Sequence, residues 1–571
     1  MTTNIQEKYL ILKDMPDGAD PARYIAAGPW CFGGREELFP DFAKKYSFCP
    51  EPLADPDLLP EAALAAETLC AKAIPWIAGS LSANSGEFKP VYWQTLLAPW
   101  AIAVASQIVE RAYRCRAMRE VYGNEKLRVP LLPVETVFNF IDEDDFYIRG
   151  ALGSDFNFWL FSRLLELDWP KNWEKIFLTA PEAADMPSGR RPPPRIVKNF
   201  LRSLSLKLLF PPLKGVSFVQ ALKYSLAMRR SRRRKDHSED LAKTYVFSEG
   251  LQKLELGENI FYIFQRALPG SIKKLAHSSP VGSMKKSLPR IASIIAYENS
   301  AYRQDLALWR QSGGKLAWIQ HGGNYGMIKT ACNSQIVEYS QDAFFTWGWT
   351  KGGAAKGNFI PMPYPGLAKI ADKWSPGKNG DILFVGAEMA LYGYRLESRP
   401  TPLQFLKYRE YKCEFLEELG GDLLKRVLYR PYFSLPGTLE DYAWLERRFP
   451  GLRLCEGPLA SRLRDCALLI LDHHGTTMLE ALAMGTPTLL YWNPAQWPLS
   501  PEGERARRVM KDAGIWYDNP RDAARFAKKI LPDPAAWHRS TLAARRELRE
   551  RLAMLPKGDI DKIWISTLKN L

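Results

Sequence analysis

The sequence predicts an α/β protein of two domains whose parallel sheets face one another across a ligand cleft. Three observations predict it. The segment Cys466 to Trp492, CALLILDHHGTTMLEALAMGTPTLLYW, reads as strand, polar turn, helix and strand, which is a parallel βαβ unit. The stretch KLAWIQHGGNYG, 315–326, runs an apolar strand into a histidine and two glycines. Proline- and glycine-rich segments at 361–366 and 374–380 come just before DILFVGAE, 381–388, an unbroken apolar run that reaches a glycine. The expected boundary therefore lies at 372–380, dividing a first α/β domain with helical insertions, 1–372, from a Rossmann-like domain, 381–571.

In chain order, the first hundred residues mix short apolar runs with loop signals such as Gly33-Gly34 and PEPLADPD, 50–57. Helical spacing follows at about 61–78 and 93–121. The strand-like KLRVPLLP, 126–133, leads into the acidic turn 142–145, and 155–170 again has helical spacing. Residues 184–194, ADMPSGRRPPP, read as a surface loop, because three successive prolines fit neither regular structure. Beyond the charge-dense 229–239, Leu288 to Tyr297 reads as a buried strand or apolar helix end. A helix then runs to Gly314, followed by strands at 315–320 and 341–349.

The chain has 571 residues, enough for more than one cored domain, and its formal charge of +15 suits polyanionic partners. Eight scattered cysteines without a CxxC read as reduced thiols rather than a disulfide or zinc framework. No signal peptide is visible, and the uncharged Pro90 to Val109 contains Gln94, Pro99 and Gln107, so it reads as a buried helix. The expected location is cytoplasmic. The six basic residues of 228–235, which follow the amphipathic FVQALKYSLAM, form either a peripheral contact with anionic membrane or a solvated loop. No zinc-finger, RNP or helix-turn-helix pattern accompanies the charge, so nucleic acid is not the expected partner. GxxxxGK[ST] and GxSxG are absent, which removes the main support for kinase and serine-hydrolase readings.

Three of the six histidines sit in the two glycine-containing strand-end loops. His321 at such an edge can bond a phosphate or move a proton, and Gly322 and Gly323 let backbone approach a ligand or form an anion nest. In the second loop Asp472, His473 and His474 could orient a substrate, while Gly475, Thr476 and Thr477 start a helix whose N–H groups suit a phosphate. Glu480, one turn in, could accept two ribose hydroxyls or simply answer the helix dipole. Arg430, which ends the strand VLYR, is a phosphate partner or a surface ion pair. Asp155 is a helix-opening acid or an acceptor-side base, and Glu388 follows the strand-end glycine Gly386. Asp142-Glu143-Asp144 has DxD spacing but precedes an apolar segment instead of following a strand, so no metal site is expected.

At these residues the chain resembles a known group. WIQHGGNYG, FFTWGW and DHHGTTMLEALAMGTPTLLYWNP, in that order, resemble transferases of bacterial O-antigen and surface-carbohydrate loci. GPWCFGG and YWQTLLAPW are similar as well, so the resemblance spans most of the chain. More distantly, the C-terminal block is similar to the donor-binding half of GT-B glycosyltransferases, among them capsule Kdo transferases and CDP-glycerol polymer transferases.

The resemblance implies two Rossmann-like domains, a nucleotide-sugar donor held by the second and a glycan or lipid-linked glycan acceptor held by the first. Gly475, Thr476 and Thr477 would then contact donor phosphate, Glu480 the ribose, and His321 would face the cleft. It also implies no bound metal and no cofactor beyond the donor, which enters as substrate. A CMP-linked ulosonic acid is one donor it suggests. CDP-polyol phosphate transfer and a non-catalytic membrane scaffold are the alternatives. No motif fixes the base, for which His321, Asp155 and Glu388 all stand.

Overall fold

The computed structural model describes residues 7–82, 88–179, 216–229, 251, 254, 256–276, 289–377, 380–387, 389–432 and 437–571. Expectations for 184–194 and for 230–239 lie outside these residues, as does Glu388.

Three parallel sheets organise the described chain. The first has the order β3-β2-β1-β4-β5, from β1 (Lys8–Ile11), β2 (Tyr24–Ala26), β3 (Ser47–Phe48), β4 (Leu127–Leu131) and β5 (Trp173–Phe177). Helices α1 (Leu58–Ser82), α2 (Pro90–Tyr122) and α3 (Ser154–Glu166) belong to this part. α2 carries the Pro90–Val109 segment as a buried helix, and no described helix is long and apolar enough to cross a membrane.

After α4 (Phe218–Arg229), the middle sheet follows as β6 (Arg290–Ala292), β7 (Leu316–Ile319), β8 (Ala343–Thr346) and β9 (Phe359–Pro361), paired in sequence order. α5 (Ser300–Gln311) links β6 to β7. Thus the segment before 372 holds two separate sheets.

The third sheet, from β10 (Ile382–Val385), β11 (Val427–Arg430), β12 (Arg453–Leu454), β13 (Leu468–Leu471), β14 (Thr488–Tyr491) and β15 (Trp516–Tyr517), has the order β12-β11-β10-β13-β14-β15. In sequence ranks this is 3-2-1-4-5-6, the doubly wound order. β7, β10, β13 and β14 are buried along their whole length. Helices cover both faces of such strands, so each strand is an uninterrupted apolar run. α6 (Pro402–Leu419) lies between β10 and β11, and α7 (Thr476–Met484) crosses from β13 to β14.

The chain passes between the middle and third sheets twice. Around 372–377 its backbone bonds to the third part: Asp372 N–H to Ala483, Trp374 N–H to Met484 and Gly377 N–H to Asp465. Later, α8 (Leu542–Leu552) packs on α7, Arg549 donating to the Leu482 carbonyl at 3.0 Å, and the chain beyond it with α9 (Ile560–Lys569) returns to the middle sheet. Met554 N–H reaches the Trp347 carbonyl, and the buried Trp564 donates to the Pro363 carbonyl at 2.9 Å while stacking on Tyr224 of α4. All eight cysteines are buried and unpaired with one another.

Candidate active site

In a doubly wound sheet the crevice opens where strand order reverses, here between β10 and β13. The loops leaving these strands, with Ala387 and with His473, Gly475, Thr476 and Thr477, line a cavity of about 360 Å³. Facing them are Ile294 beyond β6 and His321 to Tyr325 beyond β7. The two glycine-bearing loops, more than 150 residues apart in sequence, are in direct contact: Gly323 N–H donates to Thr476 Oγ1 at 2.8 Å. The approach leaves no room for a side chain. A Cβ on Gly323 would sit 2.3 Å from the Gly475 carbonyl carbon, and one on Gly322 would sit 2.9 Å from Thr476 Oγ1.

Buried Gln320 fixes the first loop. Its amide donates to the Gly322 carbonyl at 2.8 Å and accepts from Trp347 N–H and Trp349 Nε1–H, both at 2.8 Å. Asn324 and Gly326 take left-handed backbone to complete the turn, and Ser500 donates to the Gly326 carbonyl at 2.7 Å. The second loop is fixed from beneath. Buried Asp472 binds His473 Nδ1 at 2.9 Å and lies 3.5 Å from Lys412 Nζ, which also pairs with Asp441 at 2.6 Å. Burial raises the Asp472 carboxyl, but Lys412 and His473 outweigh it and leave the group below the ordinary carboxylate range.

His321 touches the Tyr325 hydroxyl, 2.9 Å from Nδ1 and 3.2 Å from Nε2. Tyr325 in turn donates to Glu338 Oε1 at 3.0 Å. A hydroxyl has one proton, so with Glu338 ionised the imidazole offers Tyr325 an N–H and keeps one nitrogen as an acceptor. Burial, and then the charge of Arg395, hold His321 down to about 3, so the ring is neutral at physiological pH.

Arg395, Glu397 and Arg399 complete the cavity wall. They lie on a segment that bonds across to the middle part through Ser398 N–H to the Thr330 carbonyl and Cys332 N–H to the Leu396 carbonyl. The same segment is anchored at its ends by buried charges of the first part. Arg111 donates to the Gly393 carbonyl, and Glu51, paired with Arg114, accepts from Leu403 N–H at 3.0 Å.

Of the residues singled out in the sequence, His321, Gly322, Gly323, Gly475, Thr476 and Thr477 come together at the cavity. The others go elsewhere. His474 is fully buried between the edges of Trp492 and Trp497, with neither ring nitrogen bonded, and burial followed by His473 holds it down to about 3. Arg430 donates to the carbonyls of Cys455 and Gly457, outside the cavity lining. Asp155 pairs with Lys13 at 2.6 Å, also outside it. Glu480 is half-buried outside the lining, and its charge helps raise the Tyr364 hydroxyl after burial has done so. Asp142 caps its own turn, and Glu143 is buried against Arg303. Among the described residues no cluster of three His, Cys, Asp or Glu could hold a metal.

Sequence reasoning did not single out Tyr297, Tyr325 or Glu338. Glu338 lies in a π-helical turn, Gln335–Tyr339, a distortion frequent at functional sites that only coordinates reveal.

Fold and site together define a parallel α/β protein whose ligand crevice sits at a topological switch point, where such folds hold small molecules. Residues 8–568 match the profile of the LIC12162 family transferases, and the chain belongs to that family. No curated protein matches the chain significantly. Among solved structures, the wall teichoic acid polymerase TagF is similar at TM-score 0.31 and 11% identity, covering 84% of this chain and 98% of that one. An O-GlcNAc transferase of Thermobaculum terrenum is similar at TM-score 0.29 and 12% identity, covering 84% and 78%. The spinosyn forosaminyltransferase SpnP has TM-score 0.22 and 18% identity over 38% of this chain, and the match spans about half of its own length, 52%.

Proposed function

We propose that this transferase is a glycosyltransferase of GT-B type, moving a sugar from a nucleotide-activated donor to a glycan or lipid-linked glycan acceptor. The observation that carries the reading is the 2.8 Å bond from Gly323 N–H to Thr476 Oγ1, which joins both glycine loops on one cavity. The first N–H groups of α7 have no partner within the helix, and its positive end favours phosphate, so the donor diphosphate or monophosphate belongs beside Gly475 to Thr477. Neutral His321 stands across from it as a hydrogen-bond partner. The acceptor hydroxyl attacks the anomeric carbon, the bond from that carbon to phosphate oxygen breaks, and helix N–H groups stabilise the charge left on the nucleotide. A CMP-linked ulosonic acid suits the Arg395 and Arg399 wall, which offers guanidinium groups to a sugar carboxylate. No cofactor is required for this displacement.

Contact with an anionic membrane surface is part of the same reading. Phe218, Val219, Leu222 and Leu226 of α4 are exposed, although Ala221, Tyr224 and Met228 on its other face are buried. Basic residues 229–235 follow in sequence.

Thermal-shift screening with CMP, CDP, UDP and GDP tests the reading: one nucleotide should raise the melting temperature, and silence from all four would refute it. Product analysis then separates sugar transfer from polyol-phosphate transfer, because the latter leaves a new phosphodiester in the product.

A further inference from the structure

We propose that Glu338 is the group that takes the proton from the acceptor hydroxyl, an assignment that rests on the glycosyl-transfer reading above. Its two oxygens are treated differently by the fold. Oε1 is saturated: Tyr297 donates at 2.7 Å, Tyr325 at 3.0 Å and Ser334 at 3.4 Å. Oε2 is buried without a hydrogen-bond partner, although the residue is only 1% exposed and lines the cavity. A buried carboxylate oxygen left without a donor is costly and calls for an explanation. A substrate hydroxyl that donates to it supplies one.

The surroundings fit the task. Burial raises the carboxyl to about 7. The Tyr297 and Tyr325 bonds and Arg395 pull it down, while Glu397 pushes it up. Tyr339 and, through Tyr325, His321 are the remaining titratable neighbours. A base tuned near the working pH is the effective kind. Neutral His321 is the weaker candidate because burial and Arg395 keep its proton affinity low.

The step balances as one displacement. The acceptor O–H proton goes to Glu338 Oε2, and the oxygen bonds the anomeric carbon. The carbon–phosphate-oxygen bond breaks, and its electron pair leaves with the nucleotide. Tyr297 acts as a positioning residue, because its bond favours the charged carboxylate.

The experiment takes the full chain, the nucleotide that raises its melting temperature, and the corresponding nucleotide sugar with water as acceptor. Glu338→Gln should keep the nucleotide-induced melting shift yet release nucleotide from the sugar at least about 100-fold more slowly. Wild-type turnover should fall as pH drops through about 7, and the variant should lack that limb. In Tyr297→Phe the limb should move to higher pH. Turnover of Glu338→Gln within threefold of wild type would overturn the assignment. If no nucleotide binds, the transfer reading fails and the assignment falls with it. Glu338→Gln should gain melting temperature over wild type above neutral pH and not at acid pH; equal curves at both would overturn the proposal.

Discussion

Gly323→Ala asks whether the two glycine loops meet. An added Cβ would lie 2.3 Å from the carbonyl carbon of Gly475 and 2.4 Å from Thr476 N, both backbone atoms that cannot rotate aside. Ordinary contact needs a separation more than 1 Å greater, so one loop must retreat and the bond to Thr476 Oγ1 is lost. Overpacking of this kind costs about 1–3 kcal/mol, and the broken hydrogen bond adds about 1 kcal/mol. The expected destabilisation in urea unfolding is therefore about 2–4 kcal/mol. A larger consequence follows for ligand. A nucleotide at a hundred times its Kd stabilises wild type by about 2.7 kcal/mol, and that increment should largely vanish because the phosphate cradle is displaced. Gly79→Ala is the control: it lies exposed in α1 with nothing near its Cβ and should gain about 0.5–1 kcal/mol. If Gly323→Ala matched wild type within about 0.5 kcal/mol and kept the nucleotide increment, the contact between the loops would be refuted.

The remaining predictions use the same site and its supports. Folding favours the protonated form of Glu338, whose folded value of about 7 exceeds its ordinary 4.5; that contribution is full below pH 4.5 and is lost as pH rises through about 7. Glu338→Gln should thus gain about 3 kcal/mol on wild type at pH 8 and nothing at pH 4, measured by denaturant unfolding. Lys412→Met strands Asp441 and Asp472 in the core and should cost about 3–5 kcal/mol in the same assay. Arg430→Ala, which removes bonds to Cys455 and Gly457, should lower stability by about 1–3 kcal/mol while leaving the nucleotide-induced shift intact. Deleting 229–235 should weaken co-sedimentation with vesicles rich in anionic lipid by at least about 100-fold, and unchanged binding would remove the membrane part of the proposal.

What the sequence made legible follows from how far each signal reaches along the chain. ILFV, LLIL, TLLY and LAWI stand out because strands buried on both faces are apolar throughout. The first sheet was illegible as a sheet because β2 and β3 are three and two residues long, too short for any period, and β5 is largely exposed. The glycine loops were legible because turn and helix-start signals are local. The fate of adjacent His473 and His474 was not: in the same loop one lines the cavity and the other is buried against Trp492 and Trp497, a difference no local pattern marks. Glu338 carries no local mark at all. Its role arises from Tyr297 and Tyr325, 41 and 13 residues away, and from a burial that no pattern in CNSQIVEYS announces.

The two passages of the chain between the middle and third sheets hold those sheets in register with one another. A slab tethered by one strand can turn about it, whereas one joined by two covalent passages is confined to a narrower range of relative positions. Here the passages are the 372–377 segment, bonded to Ala483 and Met484, and the later return, where Met554 and Trp564 fasten onto Trp347 and Pro363. Ser500 to Gly326, Ser398 to Thr330 and Gly323 to Thr476 cross between the same two parts, so any separation of the sheets must break these bonds together.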